Sequence, residues 1–335
     1  MTRERLEELL RRFPGSRVLV VGDCMLDEYL WGRVGRISPE APVPVVDLVN
    51  TSYNPGGASN AAANIVSLEG RAAIVSVVGE DSYADLLRAE LEARGVGHGG
   101  LVTDPGRRTT IKTRIIAHNQ QMLRVDREER SPISPAVEER VLEQAERELA
   151  DASAVLLSDY SKGVLTPRVM AELLRRAREL GRPVFANPKP ATIGHYRGLD
   201  LVQLNQSEAE AVAGFPLTRA DAVERAGRRL LEQCDCGSAV ITLGDRGLAL
   251  FERGSESRNL PVLPVEVYDS CGCGDSAIAA ATLARTAGAT WVEAATLANL
   301  AGQAKVRKLG VVPVTRIEME KVWALGHALA NGKAR

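Results

Sequence analysis

Asp275 follows two alternating glycines in the run Tyr268-Asp269-Ser270-Cys271-Gly272-Cys273-Gly274-Asp275-Ser276, and the apolar residues 277–284 come directly after it. Glycines feeding a helix expose N–H groups that have no partner inside the helix, and the helix dipole adds positive potential there. The amides of Gly272, Cys273 and Gly274 are therefore a candidate anion cradle. A carboxylate in that place would repel a phosphate rather than bind it, so Asp275 is better suited to take a proton from an attacking hydroxyl. Together these features describe phosphoryl transfer to an alcohol, which asks the protein for positioning, charge neutralisation and a base. Asp is also a favoured N-cap, so its spacing alone admits a structural role.

Other residues fit the same chemistry. Pro55-Gly56-Gly57-Ala58-Ser59-Asn60 pairs glycines that let a ligand approach the backbone with an amide side chain suited to a sugar hydroxyl. A plain turn before a helix uses the same residue types. Asp23 and Asp27 follow the first apolar run and suit vicinal hydroxyls, or a solvated loop. Asn205-Gln206-Ser207-Glu208 opens a helix after a strand. Glu208 is a candidate to hold a magnesium-bound water and Asn205 to touch phosphate, although helix-start capping draws on the same types. Arg107, Arg108, Lys112, Arg114 and Arg124 gather in one β-like segment, where they would grip a phosphorylated substrate or serve as edge-strand charge.

The elements that must position these residues alternate between strand and helix patterns. Residues 17–22, 74–78, 154–157, 184–186, 201–204 and 239–243 read as short buried strands, and 58–69, 82–94 and 168–180 as helices. Residues 248–251 read as a hairpin partner of 239–243. This order predicts an α/β fold with a mostly parallel sheet covered on both faces, whose ligands bind beyond the carboxyl ends of the strands. Asp23, Asp27, Asp159, Asn187, Asn205 and Thr242 all fall at such ends. Two segments break the pattern: 28–50 and 108–125 read as strands of a small sheet that covers the site as a lid. So small a sheet would leave an apolar face wet, which predicts packing against a partner's lid. The whole of 1–335 reads as one domain.

Composition narrows the function classes. With 42 basic and 43 acidic residues the net charge is -1, which gives no bulk attraction for nucleic acid or an anionic membrane. No run reaches the roughly 20 apolar residues that span a bilayer, and the charged start lacks a signal-peptide core, so the chain reads as cytoplasmic. The five cysteines (Cys24, Cys234, Cys236, Cys271, Cys273) include two Cys-x-Cys pairs. That spacing is shorter than structural zinc sites use and reads as tolerated small residues in a reducing compartment.

The early Gly56-Gly57-Ala58-Ser59-Asn60 and the late Asp269-x-x-Gly272-x-Gly274-Asp275, in this order, resemble the ribokinase-like sugar kinases of the PfkB family, over almost the whole chain. Residues 20–27, 36–46, 158–163 and 306–310, above all Ile37-Ser38-Pro39-Glu40-Ala41-Pro42-Val43-Pro44-Val45, resemble the branch that phosphorylates D-glycero-D-manno-heptose 7-phosphate at its anomeric hydroxyl. The resemblance implies a three-layer α/β/α fold with a β lid that mediates a homodimer, and use of ATP and Mg2+. It implies Asp275 as base and Gly272, Cys273 and Gly274 as anion hole. Asp23, Asp27, Gly56, Gly57 and Asn60 would bind the sugar, joined by Lys112 and Arg124 if the sugar is phosphorylated. Asn205 and Glu208 would serve magnesium and phosphate, Thr242 and Gly244 would border the nucleotide, Asn299 would lie near the adenine, and Asp269 near a potassium ion.

The chain departs from the family pattern at Cys271, Cys273 and Ser276, at Asn187 before Pro188-Lys189, and at Leu204. Many relatives carry a nucleotidyltransferase domain after the kinase, whereas this chain stops at Arg335. These departures keep two alternatives open: a kinase for another sugar, sugar phosphate or nucleoside, and a non-catalytic sugar or nucleotide sensor.

Overall fold

A computed structural model describes residues 1–118, 120–263 and 267–330. Among these, β1 (Arg17–Gly22), β2 (Cys24–Ile37), β3 (Pro44–Gly57), β4 (Arg71–Val78), β5 (Gly97–Thr103), β6 (Ile111–Ala117), β7 (Gln120–Arg127), β8 (Ala154–Ser158), β9 (Val184–Asn187), β10 (Leu201–Asn205), β11 (Ser238–Thr242), β12 (Leu248–Glu252) and β13 (Arg258–Leu260) form two sheets. The large sheet has the order β13-β12-β11-β10-β9-β8-β1-β4-β5. It is parallel from β11 to β5, with β12 and β13 added antiparallel at one edge. The 239–243 and 248–251 pairing expected from the sequence is the β11–β12 hairpin.

Strand β1 shows why the layers form. Val18, Leu19, Val20 and Val21 are all fully buried, but Val18 and Val20 face one apolar cluster and Leu19 and Val21 the other. A strand whose successive side chains point to opposite faces can bury all of them only with a helical layer on each side. One layer is α1 (Arg3–Arg12), α2 (Ala58–Ser67), α3 (Ser82–Ala93), α8 (Cys273–Thr286), α9 (Trp291–Lys305) and α10 (Arg316–Ala330). The other is α4 (Pro135–Leu149), α5 (Pro167–Glu179), α6 (Gln206–Ala213) and α7 (Ala220–Gln233). The alanines of α2 and α8 are buried almost throughout, because α2 and α8 pack on each other as well as on the sheet.

The small sheet, β3-β2-β6-β7, is the lid. Its strands extend further than 28–50 and 108–125: β2 begins at Cys24, β3 ends at Gly57 and β7 ends at Arg127. Asp27, Gly56 and Gly57 therefore belong to the lid's own root. Leu48, Val49, Leu123 and Val125 stay at least half exposed on it, between 50% and 65%. No helix among the described residues is long and apolar enough to cross a membrane.

Candidate active site

Strands β1, β8, β9, β10 and β11 end on the same side of the large sheet, and the polar residues after them converge on the start of α8. That helix begins after Gly272, whose φ of 79° is one only glycine adopts freely. A Cβ at Gly272 would also stand 2.9 Å from Asn60 Nδ2. The cradle differs from the expected one in a single member. The Cys273 N–H donates to the Ser270 carbonyl at 3.2 Å and is spent, whereas the amides of Gly272, Gly274 and Asp275 have no acceptor among the described residues. A turn closing on Ser270 consumes the middle donor, and the helix start supplies another in its place.

Asp275 lies at the mouth of this cradle. Asn60 Nδ2 donates to its Oδ2 at 2.7 Å and the Tyr160 hydroxyl to its Oδ1 at 2.6 Å. Asn60 is in turn fixed by Asn64 Nδ2, which donates to both its backbone and side-chain oxygens. Burial pushes the Asp275 carboxyl up to about 6, against the two hydrogen bonds and the Lys189 charge, which hold it down. The Tyr160 phenol is pushed far up by its own burial and by Asp275, so it stays a donor. A carboxylate poised near neutrality in a cleft can accept a proton from an alcohol.

Two cavities meet at the cradle and share Thr242, Gly244, Cys273 and Gly274 in their walls. One, of about 450 Å³, is polar and holds Tyr160, Lys189, Gln203, Asn205, Glu208 and Asp275. The other, of about 400 Å³, is mostly apolar and runs between Leu248, Leu263, Ala298 and Asn299. The Asn299 amide donates to the Leu260 and Pro261 carbonyls. A mostly apolar slot leading to an amide cradle suits a base joined to a phosphate chain. Asn205 and Glu208 form a complete capping box on α6, each side chain bonding the other's amide. Glu208 Oε1 also takes the Lys189 ammonium at 2.5 Å, and Lys189 lies over the Tyr160 ring. The helix-start role read from the sequence is thus real, and it leaves Glu208 facing the polar cavity.

Several expected sugar ligands are occupied within the fold. Both Asp23 oxygens accept backbone amides, from Tyr160, Lys162 and Val164, so Asp23 shapes the loop that presents Tyr160. Gly56 and Gly57 make room for protein rather than for a ligand. A Cβ at Gly56 would stand 2.2 Å from Asp27 Oδ2, and one at Gly57 2.5 Å from the Asp23 carbonyl. Asp27 is buried and paired with Arg114, whose guanidinium also lies over the Tyr29 ring. Lys112 pairs with Asp126 and Glu128, and Arg124 with Asp126, all along the lid. Asp269 accepts the Cys271 and Gly310 amides, one on each oxygen, and so ties the loop before α8 to the segment after α9.

Tyr160, Lys189 and Gln203 are the site residues that residue-type reasoning did not single out for a role. Tyr160 and Lys189 sit in the runs Asp159-Tyr160-Ser161 and Asn187-Pro188-Lys189, just past β8 and β9, so the strand-end rule carries their signal.

A parallel sheet between two helical layers, a four-stranded lid and a cradle at the strand ends define a ribokinase-like α/β protein. Solved structures share that fold. Escherichia coli phosphofructokinase-2 in complex with potassium superposes with a TM-score of 0.76 at 20% identity, over 92% of this chain and 99% of that one. Arabidopsis thaliana ribokinase complexed with ribose and ATP gives 0.70 at 19% identity, over 92% and 98%. The pfkB family carbohydrate kinase model matches residues 16–316, and the chain belongs to that family. The bifunctional protein HldE of Geobacter sulfurreducens is 39% identical over all 335 residues, which span 68% of that protein. The family's members are phosphotransferases with a hydroxyl acceptor; the chain is a sugar kinase, and the sensor alternative falls away.

Proposed function

We propose that the chain uses ATP and magnesium to phosphorylate the anomeric hydroxyl of D-glycero-D-manno-heptose 7-phosphate. The observation that carries the chemistry is the buried Asp275 carboxylate, held by Asn60 and Tyr160 where the two cavities meet. Asp275 accepts the proton of the attacking hydroxyl, while Asn60 and Tyr160 keep its oxygens aimed. The free amides of Gly272, Gly274 and Asp275 receive charge from the moving phosphoryl group. The apolar cavity by Asn299 takes the adenine, with Thr242 and Gly244 along the phosphate chain. Glu208 borders the polar cavity beside Lys189 and would hold magnesium through its water shell; the ion would neutralise phosphate charge there.

The heptose assignment rests on the 36–46 run and on a match over all of this chain, and 68% of the other, to a relative named HldE. One observation favours another sugar: Lys112 and Arg124 are already paired within the lid, so a substrate phosphate would have to displace Asp126 or Glu128. A coupled ADP-release screen decides between them. Turnover with the heptose 7-phosphate is expected to exceed that with ribose, fructose and fructose 6-phosphate by at least about 100-fold in kcat/KM, as a site built for one polar pattern discriminates. Comparable rates on a free sugar would withdraw the assignment while leaving a kinase.

The lid's exposed Leu48, Val49, Leu123 and Val125 support a homodimer joined lid to lid. Sedimentation of the wild type should give a dimer, and Val49→Asp with Leu123→Asp should give a monomer. A wild type that sediments as a monomer at tens of micromolar would remove the lid from that role.

A further inference from the structure

Lys305 is fully buried, an unusual place for a lysine. It is the last residue of α9, and a cation at a helix C-terminus is ordinary, but such a side chain normally carries its tip out to water. Here the Nζ donates to the Lys308 carbonyl at 3.3 Å, and no carboxylate among the described residues pairs with it. An ammonium is costly to bury with so little compensation.

Its position gives that cost a purpose. A Cβ placed on Gly272 would lie 3.7 Å from Lys305 Cε, so the side chain runs directly beneath the cradle loop. Its charge draws the Cys273 thiol downward, although burial carries that thiol up to about 11. The same neighbourhood is where a potassium ion was expected beside Asp269. Both Asp269 oxygens are engaged by amides, and the positive charge adjoining the loop comes from the chain itself.

We propose that Lys305 is a built-in counter-charge for the phosphoryl cradle, so that the enzyme works without a monovalent metal ion. The proposal rests on the kinase reading of the site. In a buried setting a fixed charge acts over several ångströms, and one placed before the reaction begins needs no reorganisation as phosphoryl charge arrives. Lys305 is a positioning residue in this scheme, since it reaches the transferring group through the loop.

The test has two arms. Wild-type turnover is measured in potassium, sodium and tetramethylammonium chloride at one ionic strength. Rates within two-fold of each other are expected, and stimulation by potassium beyond two-fold overturns the proposal. Turnover of any sugar in this arm establishes the kinase reading independently. The second arm needs no sugar: calorimetry compares the wild type with Lys305→Met. Binding of a non-hydrolysable ATP analogue should weaken at least ten-fold while adenosine binding holds within two-fold. Equal losses for both ligands, or none for either, would show Lys305 to be merely structural and overturn the proposal.

Discussion

Asp275→Asn should lower kcat by about 1,000-fold, the range a well-placed general base supplies, while sugar and nucleotide dissociation constants stay within about three-fold. Asparagine keeps the shape and still accepts from Asn60 Nδ2, and the Tyr160 hydroxyl can turn to accept from it. The same variant should be more stable than the wild type. Burial raises Asp275 from its ordinary 3.8 to about 6, so between those values the folded chain binds more protons than the unfolded one. Stability from this group is complete below pH 3.8 and is lost as pH rises through 6. At pH 7.5 the ionised side chain thus costs on the order of 3 kcal/mol, which asparagine avoids. Calorimetry at pH 7.5 should show the variant melting a few degrees higher. In the wild type, kcat/KM should fall as pH drops below about 6, where the base becomes protonated. Near-normal turnover in Asp275→Asn would take the proton-accepting role away from Asp275.

Arg114→Leu should cost about 3–5 kcal/mol of folding stability, because it strands the Asp27 carboxylate without its counter-charge. Burial already pushes Asp27 upward, and Arg114 is the largest influence holding it down. The lid root offers no slack for rearrangement, since Asp27 lies directly under Gly56. Adding Asp27→Asn to Arg114→Leu removes the stranded charge and should recover more than half of the loss, a coupling that a double-mutant cycle in urea would measure. A single variant that loses less than 1 kcal/mol, or a pair that loses as much as the single, would mean that the two charges do not depend on each other.

Periodicity was a sound guide to the sheet because each parallel strand buries both faces and so reads as an unbroken apolar run, as 17–22 does. It also found the lid, whose β-branched and proline-rich segments cannot be α/β units. It drew the lid several residues too short at its root, because Asp27, Gly56 and Gly57 look like loop chemistry and are in fact paired strand positions, Cys24 opposite Gly57 and Asp27 opposite Asn54. At the site, Asp275, Asn60 and the glycine turn were legible from residue type and order. What sequence could not carry was the spending of polar groups. Asp23 has the composition of a ligand residue, but three amides about 140 positions away consume it. Lys305 reads as one more helix-end cation until its burial is seen. Tyr160 became a partner of Asp275 only once the fold had spanned 115 positions.

Strands β2 and β6 lie side by side, yet Glu28 and Thr113, which bond across them, are 85 positions apart, with β4 and β5 of the large sheet between. The cover over the site is therefore stitched from two separate departures of the chain, one after the central strand β1 and one after the edge strand β5. No single stretch of sequence contains it, so it cannot be exchanged between proteins by one cut and one splice. A lineage that alters the cover's shape must do so by substitution in both halves at once, with the scaffold kept as the arbiter of their fit.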